Sequence, residues 1–300
     1  MKAALFITLA GIAAIYALVW GSRVRREHRT TWRLVGVGAV TNFFDTLGIG
    51  SFATTTAFYK VIPELRPIIP DRLIPGTLNV GHTMPAILQA FIFIAIIAVD
   101  VRTLVAIIAA AVLGAWLGAG HVARWNKQTV RVVMGVALLV AASLMTAAQL
   151  GIVPAGGNAL GLSGTRLGVA VTASLLLGAL MTMGIGYYGP CIIMVSLLGM
   201  NPRTAFPIMM GACAFLMPVA SIRFIRAQAY EPRAALGLTL GGIPAVLVAA
   251  FIVKSLPLGA IRWLVVVVVL YAATLLLSAA ASERRVAAAS ALDDASSGAT

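Results

Sequence analysis

Two stretches of this sequence hold residue types that long apolar segments otherwise avoid. Asp45-Thr46-Leu47-Gly48-Ile49-Gly50-Ser51 carries a carboxylate, hydroxyls and two glycines, and Thr182-Met183-Gly184-Ile185-Gly186-Tyr187-Tyr188-Gly189-Pro190 repeats its Thr-x-Gly-x-Gly pattern. Glycine admits backbone angles that other residues resist, so a helix can stop before each break and another begin after it. A starting helix presents unpaired N–H groups and the positive end of its dipole, which attract an anion without any buried Arg or Lys. The expected chemistry is reversible holding of a small oxyanion. Its candidate binding residues are Thr46, Gly48, Gly50, Ser51 and Thr54, with Thr55 and Thr56 as further hydroxyls, and Thr182, Gly184, Gly186, Tyr187 and Tyr188.

Ionisable and amide side chains lie in the same apolar surroundings. Asp45 is a candidate carrier of a coupling proton, because an ionisable residue inside a membrane is costly and functional by default. Its other expected role is to cap the helix that begins beyond it. His82, in Gly76-Thr77-Leu78-Asn79-Val80-Gly81-His82-Thr83-Met84-Pro85, is the second proton candidate, with solvation near a membrane face as the competing expectation. Asn42, Asn79 and Gln89 are expected to support the site as hydrogen-bond partners between helices. Cys191 follows the second break, although a buried cysteine ordinarily behaves as a small inert apolar residue.

Other chemistries drop out. Gly184-Ile185-Gly186-Tyr187-Tyr188-Gly189 has the spacing of a dinucleotide fingerprint, but that motif needs a preceding strand and an acidic residue about twenty positions on. No acidic residue follows Gly189 until Glu231. Cys191 and Cys213 have neither metal-ligand nor disulfide spacing. The three histidines, His28, His82 and His121, make no metal cluster or nucleophile-base pair. Neither a cofactor, a metal nor an enzymatic activity is expected.

The elements that must position these residues are membrane helices. Of 300 residues, 61% are hydrophobic and 10% charged, and the apolar residues fall in blocks of about twenty, the length of a spanning helix. These blocks cover 34–60, 75–98, 103–122, 131–150, 167–198, 204–225, 234–253 and 261–281, after an N-terminal run at 3–20. The net charge of +13 comes from Lys and Arg clustered at segment ends, where membrane topology expects them, so nucleic acid is not an expected partner. Arg23, Arg25, Arg26, Arg29 and Arg33 follow the first run and would resist translocation, which makes residues 1–32 an anchor helix and basic loop with the N-terminus outside. Residues 283–300, rich in Ala and Ser, lack the bulky residues needed to pack and read as a disordered cytoplasmic tail.

The chain also repeats itself. Thr46, Gly48 and Gly50 match Thr182, Gly184 and Gly186, and Asp100, Arg102 and Arg131 match Glu231, Arg233 and Arg262 at a second offset. This divides the protein into repeats at 33–150 and 151–282, an all-α polytopic membrane protein of two homologous halves, each opening with a glycine-broken segment. Segments 34–60 and 167–198 are each either a bent crossing or a hairpin that returns to its own side. Hairpins in inverted halves leave only Lys2, Arg102, Arg166, Arg203, Lys254 and Arg262 outside, whereas bent crossings divide the basic residues nearly evenly, so the positive-inside rule favours hairpins.

The runs VTNFFDTLGIGSFATTTAFYK, IPGTLNVGHTMPAILQAFIFI and MTMGIGYYGPCIIMVSLLGMNPRTAFPIMM resemble the TauE/SafE family of bacterial membrane permeases, also described as sulfite exporters. The resemblance extends over most of residues 33 to 280. It implies a multi-pass inner-membrane protein of two homologous halves, associated with sulfite, sulfonates or related small sulfur-containing anions. The combined expectation is a secondary transporter working by alternating access, proton-coupled through Asp45 or His82. Its partners would be the anion and the lipid bilayer, with a homo-oligomer compatible with the pattern. The alternative is an intramembrane enzyme or an assembly scaffold without net transport.

Overall fold

In hydrocarbon every backbone N–H and C=O must be satisfied within the chain, and helices do this segment by segment. The computed structural model describes residues 2–24, 30–65, 69–70, 73–121, 157–181 and 187–257, with scattered positions between 132 and 150 and between 259 and 282. Its helices are α1 (Lys2–Val24), α2 (Trp32–Thr46), α3 (Ser51–Val61), α4 (Ile74–Ile96), α5 (Val101–His121), α6 (Gly164–Met181), α7 (Tyr188–Leu197), α8 (Ala205–Arg226) and α9 (Pro232–Ser255). Among the described residues there is no strand, only one isolated bridge between Ala159 and Met200. Five stretches, Lys2–Ser22, Ile74–Ile96, Gly164–Met181, Pro202–Arg226 and Pro232–Val253, are long and apolar enough to cross a membrane. The segments expected at 131–150 and 261–281 lie largely outside the described residues, and the tail at 283–300 lies wholly outside them.

The central pair is α4 and α8, running antiparallel. Phe93 stacks on Phe206 with ring centroids 5.4 Å apart, Thr83 Oγ1 meets Ser221 Oγ at 2.9 Å, and Gly76 lies against Phe224 and Ala229. Two parallel pairs flank this centre. In α2 and α9, the Thr30 hydroxyl donates to Arg233 O at 2.9 Å, Gly38 abuts the Gly237–Leu238 backbone, and Gly242 abuts Asn42. In α5 and α6, the Ser174 hydroxyl donates to Ile107 O at 2.9 Å, and Gly178 abuts the backbone of Ala111. These small residues let backbones approach closely, which matters where lipid is as apolar as any side chain. Helix α1 lies antiparallel to α4, with Phe6 stacked on Phe91 and the Tyr16 hydroxyl on Val80 O at 2.7 Å.

Both glycine-broken segments turn back on themselves. Helix α3 returns beside α2 and α4, so that Tyr59, Leu65 and Ile69 pack with Leu34, Val37, Ile74 and Leu78. The Arg33–Glu64 ion pair at 3.3 Å joins the start and end of that hairpin. Helix α7 returns beside α6, where the Tyr187 hydroxyl meets Ser174 Oγ at 2.6 Å. Its end is fastened to its start by Asn201 N–H donating to Ala159 O at 2.8 Å. The first hairpin opens at the end of the molecule holding Ala229 and Arg233. The second opens at the other end, where Asp100 N–H bonds Leu160 O and Arg203 bonds Leu256 O.

Candidate functional site

The first break is built by glycine at two successive bends. Gly48 has φ +98° and Gly50 φ +85°, angles that side chains disfavour. At the end of α2, Gly48 N–H donates to Asp45 O at 2.8 Å and Ile49 N–H to Phe44 O at 3.0 Å, the paired closure of a Schellman motif. Gly50 then precedes Ser51, the first residue of α3. Asp45 and Thr46 are thereby left in the last turn of α2, buried at the hairpin tip.

Around Asp45 the tip of the first hairpin meets α4 and the start of α7. Gln89 Nε2 from α4 donates to Asp45 Oδ2 at 2.9 Å and to Thr46 Oγ1 at 2.9 Å. The Tyr188 hydroxyl from the start of α7 lies 3.4 Å from Asp45 Oδ2 and 3.2 Å from Gln89 Oε1. Ser51 faces the same carboxylate with its hydroxyl and its backbone N–H. A side chain on Gly48 would meet Ile192 Cδ1 at 3.3 Å and Met209 Cε at 3.6 Å, so the first tip is seated directly on α7 and α8. Asp45 is 5% exposed, and among the described residues no Lys or Arg is buried beside it.

A second buried group lies one turn back along α2. Asn42 Nδ2 faces two carbonyls, Gly38 O at 2.8 Å and Leu238 O at 3.3 Å. Carbonyls only accept, so the Asn42 amide nitrogen is the donor to both, and Asn42 Oδ1 is left to face His82 Nδ1 at 3.0 Å. Nδ1 must therefore carry the ring proton, and Nε2 accepts from the Thr55 hydroxyl at 3.0 Å. The bonding pattern assigns one neutral tautomer. The Phe52 ring lies 6.2 Å from the imidazole. One residue thus ties α2, α3 and α4 together.

His82 is 1% exposed, buried inside the protein rather than solvated, about two turns into α4, which begins eight residues earlier at Ile74. Asn79 does not bridge helices: its Nδ2 donates to Pro75 O of its own helix at 2.9 Å, and it sits half-buried. Asn42 and Gln89 do bridge helices. Thr54 spends its hydroxyl inside α3, on Gly50 O and Ser51 O, as Thr56 does on Phe52 O. Tyr187 and Tyr188 diverge: Tyr188 faces Asp45, whereas Tyr187 is turned toward Ser174. Thr182, Gly184 and Gly186 lie outside the described residues. Cys191 and Cys213 are buried free thiols. Among the described residues, no three His, Cys, Asp or Glu side chains are grouped to hold a metal.

Sequence reasoning treated Gln89 only as a support, yet it is the residue that touches Asp45, Thr46 and Tyr188. The signal for it was spacing. Gln89 stands seven residues after His82, two turns along one face of α4, as Asn42, Asp45 and Thr46 share one face of α2. The start of α3, at Ser51, lies beside the Asp45 carboxylate. No family model, curated protein or solved structure matches this chain.

Proposed function

We propose that this chain is a secondary transporter of a small anion, with the substrate held where the two hairpin tips meet. The observation that carries the reading is the convergence of two oppositely opening hairpins on one buried polar cluster, Asp45, Thr46, Gln89 and Tyr188. Irregular backbone and ionisable groups at such depth are tolerated where they line a functional site. In this reading the hairpins are re-entrant, and the halves are homologous and inverted. Its support is that α4 and α8, which occupy matching positions in the two repeats, run antiparallel. In addition, α2 of the first half packs beside α9 of the second, and α6 of the second beside α5 of the first. Such paired, interrupted segments mark binding sites in transporters of inverted repeats.

The resemblance of the glycine motifs to TauE/SafE permeases makes sulfite, sulfonates and related anions the first substrates to try, in a bacterial inner membrane with the N-terminus outside and the C-terminus cytoplasmic. Ser51 and Tyr188 are the described hydroxyls best situated to meet the anion, the Thr46 hydroxyl being spent on Asn42 O at 2.7 Å, with Gly50 at the bend; a side chain there meets no described atom within 4 Å.

Counterflow of labelled sulfite, methanesulfonate and sulfate into proteoliposomes tests the reading. The parent should exchange at least one of them, and Gly50→Leu and Gly186→Leu should lose most of that exchange. If folded parent protein exchanges none of the three, the transport reading is wrong.

A further inference from the structure

Asp45 is an unusual member of an anion site. Its carboxylate faces the Ser51 hydroxyl and N–H, the very donors that an anion at the start of α3 would need. Its hydrogen-bond partners are neutral: Gln89 from α4 and Tyr188 from α7. The titratable groups facing it are the Tyr188 hydroxyl and, from α8, the Cys213 thiol; α3 and α4 present only Ser51 and Gln89. No charged side chain among the described residues offsets it. An ionised Asp45 and a bound anion would therefore be two like charges sharing one buried pocket, where their repulsion is little screened.

The other candidate proton carrier has a different geometry. Both ring nitrogens of His82 are engaged, Nδ1 as donor to Asn42 and Nε2 as acceptor from Thr55. A proton on Nε2 would have to turn the Thr55 hydroxyl away and loosen α3. His82 acts as a positioning residue for the start of the hairpin's return helix.

We propose that Asp45 is the proton-binding site that couples anion movement to a proton gradient: the anion occupies the start of α3 only when Asp45 carries a proton, and the two move together. The inference rests on the transport reading above and deepens it. The balance is simple: a carboxylate takes up one proton on the loading side and returns it on the release side, with no bond to the anion made or broken. Protonation removes the negative charge and leaves Ser51 free to donate to the anion. Tyr188, with one hydroxyl proton and two acceptors in reach, can give that proton to Gln89 Oε1 when Asp45 no longer needs it.

The test uses full-length protein in proteoliposomes and whichever anion the parent exchanges in counterflow, with a pH-sensitive dye trapped inside. For one proton per singly charged anion, a pH difference of one unit should concentrate the anion about tenfold on the less acidic side, and each addition of anion should move protons with it. Asp45→Asn should lose both its power to concentrate the anion and its proton signal. Parent protein that exchanges the anion without moving protons overturns the proposal and leaves transport standing. Asp45→Asn that still concentrates the anion like the parent overturns it as well. Absence of exchange in the parent sinks both readings. If Asp45→Asn fails to fold, Asp45→Glu decides: it keeps a carboxyl and should still move protons with the anion but on a shifted pH profile, and a profile identical to the parent's would overturn the assignment to this residue.

Discussion

His82 donates from Nδ1 to the side-chain oxygen of Asn42 at 3.0 Å, and this bond joins the second long helix of the first half to the helix that carries Asp45. Because Thr55 completes the pattern at Nε2, the imidazole fixes the spacing of three helices around the hairpin tip. Removing either partner leaves a buried polar group unsatisfied, which costs about 1–3 kcal/mol. Asn42→Leu and His82→Leu should each lower the thermal stability of detergent-solubilised protein. In a double-mutant cycle the pair should show a coupling of about 1 kcal/mol. Strictly additive losses would show that the two do not interact.

Gly48 and Gly50 should respond differently to substitution. Both hold positive φ, +98° and +85°, so any side chain incurs about 1–3 kcal/mol of backbone strain. Gly48 is also packed against Ile192, whereas no described atom lies near a side chain at Gly50. Gly48→Leu should therefore melt well below Gly50→Leu. The opposite order would contradict the seating of the first tip on α7.

Close helix pairing predicts a third set of losses. A side chain on Gly178 runs into the backbone of Ala111, and one on Gly241 into that of Val35. Gly178→Val and Gly241→Val should each destabilise by about 1–3 kcal/mol through overpacking. Gly11→Val, on an open face of α1 with nothing within 4 Å, should leave the melting temperature where it is.

The start of α5 supplies a pH dependence. Asp100 accepts from the N–H and the hydroxyl of Thr103, each at 2.8 Å, and these bonds hold its carboxyl below the usual carboxylate range. Since the folded value is the lower one, the stabilisation is present above the unfolded value and is lost as pH falls through the folded value. Melting curves of parent and Asp100→Ala should differ at neutral pH and converge below about pH 4. A gap that persists in acid would assign the effect to something other than this carboxylate.

Surface labelling tests the hairpins. Arg33 and Glu64, 46% and 55% exposed, stand at the two ends of the first hairpin, and Arg102 and Arg166 are exposed at the opposite end of the molecule. Because both native cysteines are buried, single cysteines at these four positions can be read against a low background. In oriented vesicles, Arg33→Cys and Glu64→Cys should react from one face, and Arg102→Cys and Arg166→Cys from the other. Arg33→Cys and Glu64→Cys reacting from opposite faces would mean that residues 34–60 cross the bilayer.

Much of this architecture follows from local chemistry and could be read along the chain. The helices begin and end within a few residues of the expected apolar blocks, because block length and backbone self-satisfaction are properties of a segment alone. The breaks at Gly48 and Gly50 were equally legible, since positive φ is a property of glycine. Partnership is different, because it depends on which faces meet. Asn42 and Asn79 are the same residue type in similar settings, yet one bridges three helices and the other bonds its own turn, and nothing in either neighbourhood distinguishes them.

By itself the sequence determined that this chain forms long apolar helices, that two of its segments carry Thr-x-Gly-x-Gly, and that a carboxylate sits beside the first of them. Only the tertiary structure decided that both broken segments fold back, that Tyr188 and not Tyr187 reaches Asp45, and that Gln89 lies between them. The reason is distance along the chain. Asp45, Gln89 and Tyr188 belong to three helices, and their contact exists only because the small residues of α2, α5, α6 and α9 let the tip of the first hairpin seat against α4 and α7.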